Sequence, residues 1–447
     1  MKNGDEKMKM KKGTRALSLL MVLALAAVMF VSAVGAEEQN GSTQVQDDSQ
    51  AIFEIIGYTD EFQTQVLSSS KTADLLAEEY GKLNIPSTIE RYDIVQFNEV
   101  PMRTDQKNSL KVTIYGKEYS MDLERMNFEN IDDGIDSYSG SVEGLDDSVA
   151  IFTFNKNILY GTIQLQDEII FIEPVQNREY AMKTAMPLHI IYSSKDMEQV
   201  DISMIDKYEE KGPDFIIQTT SNSEDVTKST KSWESVYVLV VTDNEFYALE
   251  SDWVSAAQGY MAQAAYQYQR PDIEVFLNVA AYDASNKMTF SSDGRKTTDP
   301  FNLLREICPE SYLNSKSADI VIYLGGNDKE GPEQGLAYQP GRYAWSQMVD
   351  DADTIDLYDG SYHARVWCII HEIGHNFNAG HQNNGGYNQA YQWWESVVVP
   401  KYTVMWSSYF GSSFSTWKYS SLQYDGDSTH DNARALRIQK STTAGYA

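Results

Sequence analysis

Cysteine is almost missing from this chain, with two among 447 residues, Cys308 and Cys368. At most one disulfide can form, and two buried thiols fit as well, because pairing depends on geometry that sequence does not carry. Basic side chains are scarce: 36 Lys and Arg face 65 Asp and Glu, for a formal net charge of -29. Polyphosphate binding needs a basic face, so nucleic acid is not expected as a partner. The acidic surplus favours solubility and repels anionic surfaces, and a solvated surface accounts for it without any partner. Long apolar runs are missing after residue 36, so no later segment is expected to cross a bilayer. Histidine is rare too, six in all, and three of them fall between residues 371 and 381.

What is present can build cores: 42% of residues are hydrophobic and 12% aromatic, and the length suits two or three domains. At the N-terminus Lys7, Lys9, Lys11, Lys12 and Arg15 precede an apolar run from Ala16 to Ala36 that ends in the small residues Val34-Gly35-Ala36. Residues 1–36 thus have the layout of an export signal, and the remainder is expected to be secreted. The run is also long enough to span a bilayer, so membrane contact is expected only if it stays uncleaved as a cell-surface anchor. Residues 37–50 form a polar stretch. From 51 to 218 the pattern is β-rich, with strands read at Val112–Tyr115, Val149–Phe154, Ile158–Ile163 and Glu168–Ile172. Residues 219–232 have hardly any large apolar side chains and read as a linker and candidate processing region. From 233 to 447 strands alternate with helices. Strands are read at Val236–Val241, Ile273–Val279 and Ile320–Leu324, and helices from about Asn244 to Gln269 and from Pro300 to Cys308. That order predicts a twisted, mostly parallel sheet with helices packed on it, an α/β (α+β) class.

The chemistry concentrates in His371-Glu372-Ile373-Gly374-His375-Asn376-Phe377-Asn378-Ala379-Gly380-His381. The run from Tyr362 to His375 has no Pro and only Gly374, late in it, so it can be helical. Residues four apart share a helix face, which aims His371 and His375 at one spot. Two neutral imidazoles suit zinc, and a third ligand leaves one position open for water. Glu372, next to the first ligand, is the candidate general base. The third ligand has two candidates. His381 requires the helix to stop and the chain to turn, which Asn378 permits by entering the left-handed region. Glu395, on a second expected helix, offers a carboxylate instead. His189, His363 and His430 show no ligand spacing and read as structural or surface residues.

The stretch from His371 to His381 resembles the elongated zinc motif of the metzincins, and its wording is most like the adamalysin (reprolysin) branch. That family carries a methionine in a tight turn beneath the metal, and Thr403-Val404-Met405-Trp406-Ser407 is similar, which makes Met405 the Met-turn residue and His381 the third ligand. Tyr138–Gly144, Asp147–Ala150, Tyr160–Ile163 and Ile172–Pro174 look like the adamalysin-type propeptide. The resemblance implies a metzincin-like catalytic domain, with a five-stranded sheet and an active-site helix, preceded by a β-rich prodomain that assists folding and keeps a zymogen latent. It further implies one catalytic Zn2+, protein or peptide substrates lying extended on an edge strand (Gly335–Tyr338 is the match), and a secreted metalloendopeptidase, expected as a monomer. Bound calcium has no support in the sequence. Trp406, Ser407 and Tyr409 are candidate pocket walls.

The sequence also departs from the family. Asn378 replaces a glycine, and Gln382 stands where these relatives place Asp. No cysteine precedes Cys308, so latency by a cysteine ligand is not expected, and prodomain inhibition must be steric or use an oxygen or nitrogen ligand. The sequence is expected to lack the disintegrin and cysteine-rich modules of many relatives. A different class of protein, a catalytically silent exported binding protein with this fold, would have lost Glu372 or a histidine, and neither is lost. A purely structural zinc would need a closed coordination sphere.

Overall fold

The computed structural model describes residues 50–51, 53–59, 76, 80–86, 88–97, 108–114, 117–129, 131–183, 186–197, 201–202, 209–210, 232–288, 300–326, 334–349, 360–396, 399–407, 409–410 and 416–447. The expected signal run and nearly all of the expected linker lie outside these residues. Among the described residues no helix is long and apolar enough to cross a membrane.

The β-rich half builds one ten-stranded sheet from β1 (Gln50–Ala51), β2 (Phe53–Thr59), β3 (Tyr92–Phe97), β4 (Asn108–Ile114), β5 (Lys117–Arg125), β6 (Asp136–Val142), β7 (Val149–Asn155), β8 (Ile158–Gln164), β9 (Ile169–Pro174) and β10 (His189–Ser193). Neighbours run in the order β1-β4-β5-β6-β7-β8-β9-β10-β3-β2. Alternation of side chains sets the two faces. In β7, Ala150, Phe152 and Phe154 enter one core while Ile151 enters another. Val95 of β3 and Val112 of β4, far apart in strand order, share the first of these cores, so the sheet curls around its own apolar interior. The second face, with Ile151, Tyr160, Phe171 and Tyr192, joins the core of the C-terminal half.

The C-terminal half centres on a six-stranded sheet of β12 (Glu209–Glu210), β13 (Glu234–Asp243), β14 (Val275–Met288), β15 (Ile320–Gly325), β16 (Gly335–Gln339) and β17 (Tyr343–Gln347), in the order β12-β16-β17-β15-β13-β14. The pairs β13–β14, β13–β15 and β15–β17 are parallel, as expected, and β16 runs antiparallel to β17. Two small pairs complete the strands: β11 (Asp201–Ile202) with β20 (Tyr409–Phe410), and β18 (Gln392–Ser396) with β19 (Val399–Tyr402). The helices are α1 (Arg178–Ala181), α2 (Asn244–Leu249), α3 (Trp253–Tyr268), α4 (Pro300–Ile307), α5 (Glu310–Ser315), α6 (Tyr362–Asn376) and α7 (Asn432–Thr443).

Period-two burial in β13 decides the layering. Val236, Val238 and Val240 face the core that holds α3 and α6, and Leu239 and Val241 face the core that holds Leu304 and Leu313. The layers are therefore ten-stranded sheet, α3 with α6, six-stranded sheet, then α4 with α5. Cys308 and Cys368 belong to the cores on opposite faces of the six-stranded sheet, and they are two buried thiols rather than a disulfide.

Three expectations are corrected. The helix from about Asn244 to Gln269 is two helices, because Asp243 accepts from the N–H of Phe246 (2.8 Å) and Asp252 from that of Val254 (3.3 Å), so each aspartate starts its own helix. The strand expected from Ile273 starts at Val275, after Glu274 at φ 64, a left-handed residue that breaks the extended run. Glu395 lies in strand β18, not in a helix.

Candidate metal centre and active site

Helix α6 starts where the Ser361 hydroxyl accepts from the Ala364 N–H. It ends with the N–H of Asn378 on His375 O (2.8 Å) and that of Ala379 on Gly374 O (2.9 Å), with Asn378 at φ 66. This left-handed cap turns the chain back toward the helix, as the sequence led us to expect. The reversal brings His381 to His371 and His375. The three Nε2 atoms stand 3.0 Å (His371–His381), 3.1 Å (His371–His375) and 3.0 Å (His375–His381) apart. Among the described residues they form the one group of this kind able to hold a metal, and all three are buried.

The second ring nitrogens fix the chemistry. His371 Nδ1 lies 2.7 Å from Val404 O, and His375 Nδ1 lies 2.9 Å from Ala379 O. A carbonyl only accepts, so each Nδ1 carries the proton and each Nε2 presents a lone pair. Two buried lone pairs 3.1 Å apart repel unless a cation lies between them. A triangle of this size admits a point at the ~2.0–2.1 Å that zinc–imidazole bonds require. The donor set therefore fits zinc.

Val404 sits in a tight turn closed by the Trp406 N–H on Thr403 O (3.0 Å), so one turn both orients His371 and lays Met405 under the helix. Gly374 makes that approach possible: a Cβ there would stand 2.7 Å from Met405 Sδ and 2.9 Å from the Tyr419 ring. Glu372 follows His371 on the same helix and lies against Gly335 of β16, where any Cβ would collide with its carboxylate. Gly335 was expected only as part of a substrate strand; its lack of a side chain also makes room for Glu372.

Other residues of the site were not legible in the sequence. Asn432, first residue of α7, accepts from Gly380 N–H (2.9 Å) and donates to Gly380 O (3.0 Å), clamping the residue before His381. Gln382 donates to Ser407 Oγ (2.9 Å) and accepts from Ser407 N–H (3.0 Å), tying the loop of His381 to the turn that carries Met405. Ser407 therefore acts as a tether here, while Trp406 packs on Tyr402. The remaining histidines are elsewhere. His189 is fully buried between Pro187 O and the Leu159 N–H, and burial pushes its pKa down to about 3. His363 stacks on Trp417, and His430 pairs with Asp427.

The expected substrate strand is not a wholly open edge. Glu209–Glu210 lies parallel on it, opposite Tyr338 and Gln339.

Residues 232–394 match metallo-peptidase family M12. The matched span holds Glu372 and the three histidines and stops short of Met405. This likeness supports a metallopeptidase, which implies a metal and protein or peptide substrates. Among solved structures, metalloproteinase-II from Bacteroides fragilis is similar at 12% identity and TM-score 0.41, over 63% of this chain and 83% of that one. A chain from a structure of a chaperone–substrate complex is similar at 14% identity and TM-score 0.33, over 49% of this chain and 35% of that one. No curated protein matches the sequence significantly.

Proposed function

We propose that this chain is an exported zinc endopeptidase of the metzincin type, with His371, His375 and His381 as ligands, Glu372 as general base and Met405 as the turn methionine. The observation that carries the reading is the convergence of three Nε2 atoms, two of them on rings whose Nδ1 faces a carbonyl oxygen, with Glu372 next to His371 on the same helix. Zinc, when bound, supplies Lewis acidity that acidifies a water and polarises a scissile carbonyl. Glu372 takes the proton from the attacking water and returns it to the departing amine nitrogen. Strand β16 offers backbone groups to an extended substrate, as edge strands do. In the uncut chain Glu209–Glu210 engages part of that edge, in keeping with steric latency in a sequence that has no cysteine before Cys308.

The test is zinc content and casein cleavage by the protein from an exporting host, beside Glu372→Gln. We expect one zinc in each and cleavage by the wild type alone. Full activity of the variant would remove Glu372 as base. Zinc-loaded protein that cuts nothing, even after the 219–231 segment is opened, would favour the silent binding protein.

A further inference from the structure

Helices α3 and α6 have no solvent face. Every residue of α6 is buried, and in α3 only Val254 and Tyr266 are partly exposed. A helix at the surface of a free-standing domain keeps a polar stripe toward water. Here the six-stranded sheet covers one side, and the ten-stranded sheet from the other half of the chain covers the second.

That second contact has the character of an interior. Phe171 stands 6.1 Å from the Tyr362 ring, 5.8 Å from His363 and 6.2 Å from Trp417, all downstream of residue 232. Gly259 of α3 lets the sheet approach so closely that a Cβ would lie 3.0 Å from the Cβ of Tyr160. Three hydrogen bonds from α3 and the turn before it cross the boundary. Gln263 donates to Thr162 (2.9 Å), Tyr160 donates to Glu250 (2.5 Å), and Asn155 donates to Asp252 (2.6 Å). Interfaces made to separate are wetter and more polar, whereas one that resembles a domain core cut in half is obligate. All described residues fall in one compact unit, Ser49–Ala447, with no division between the two halves.

The joining segment contributes none of these contacts. They come from residues upstream of 193 and downstream of 243. The downstream part is separately anchored at its start, where the buried Lys440 ammonium donates to Ser232 O and pairs with Glu274 (2.8 Å). We infer that the β-rich N-terminal half is a permanent layer of the working protein: a cut between residues 219 and 231 leaves two pieces that stay together as a tight non-covalent complex, instead of releasing a prodomain. The layer backs the helix that carries His371 and His375, so its loss would unsettle the site as well as expose the aromatic seam. The inference shares the proposed peptidase reading only in supposing that such a cut occurs.

The experiment is built so that the two can fail separately. A recognition sequence for a site-specific protease replaces part of 219–231 in full-length Glu372→Gln, which removes self-cleavage, and the added protease makes the cut. We expect one peak in size-exclusion chromatography with light scattering, at the mass of the uncut chain, containing both pieces on a denaturing gel. Hydrogen exchange should find the α3 amides as protected after the cut as before. Two separate peaks, aggregation of the 232–447 piece, or fast exchange throughout α3 after cutting would each overturn the inference, whatever the peptidase assay reports.

Discussion

Gly335→Ala is the sharpest test of how the site is held together. The added carbon would stand 2.8 Å from Glu372 Cγ and would strike its carboxylate. Ordinary carbon–carbon contacts lie at ~3.5–4.0 Å, so the glutamate must retreat by roughly 1 Å. A misplacement of that size costs on the order of 100-fold in rate, or about 2.7 kcal/mol of barrier. Overpacking a core position costs about 1–3 kcal/mol of stability, which a domain can absorb. His371 and His375 are oriented by Val404 O and Ala379 O, and β16 meets the second of these through Gln339 (2.7 Å), four residues beyond Gly335. We therefore expect full zinc content, a melting temperature lower by a few degrees, and kcat/KM down about 100-fold on a fluorogenic peptide. Activity within twofold of wild type at normal zinc content would refute the idea that β16 fixes the general base. Loss of zinc together with activity would refute the separation of base from ligands.

Other expectations concern the ligands and the buried acids. His381→Ala should weaken zinc binding far more than Glu395→Ala, read by competition with a chelating dye; equal losses would contradict the third-ligand assignment. Asn432→Ala removes two hydrogen bonds to Gly380 at about 1 kcal/mol each, so zinc affinity should drop roughly ten- to thirtyfold, with Asn432→Asp recovering little because it cannot donate to Gly380 O. An unchanged zinc affinity in Asn432→Ala would show that the clamp does not position His381. Glu173 is raised from 4.5 to about 7 by burial, which Arg365 and the Tyr192 hydroxyl only partly offset while Glu250 adds to it. The folded state then keeps a proton that the unfolded state loses, so stability is greatest below pH 4.5 and falls by about 3 kcal/mol as the pH rises to about 7. Glu129, raised to about 8 chiefly by burial, acts in the same direction. Urea unfolding at pH 5 and 7.5 should show this slope, and Glu173→Gln should lose a good part of it; an unchanged slope in the variant would sink the argument.

Local patterns carried the metal site into the sequence. The i, i+4 spacing of His371 and His375 and the turn-capable Asn378 need only helix geometry and one reversal to be read, whereas Met405 is legible only through the resemblance to the metzincin motif, and the strands between 149 and 174 declare themselves by runs of β-branched and aromatic residues broken by turn-forming clusters. Helix starts were less legible, since Asp243 and Asp252 compete for one apolar run and only packing shows that both cap. What the sequence could not state is which distant backbone meets which side chain. Gly335 beside Glu372, Asn432 on Gly380 and Gln382 on Ser407 each join segments 25 to 52 residues apart, apposed only once the sheets have stacked. The same holds for the second cover over α3 and α6. Their burial on every side follows from a partner encoded about a hundred residues upstream of α3 and about 190 upstream of α6, and a helix's own residues do not record what will lie on its back.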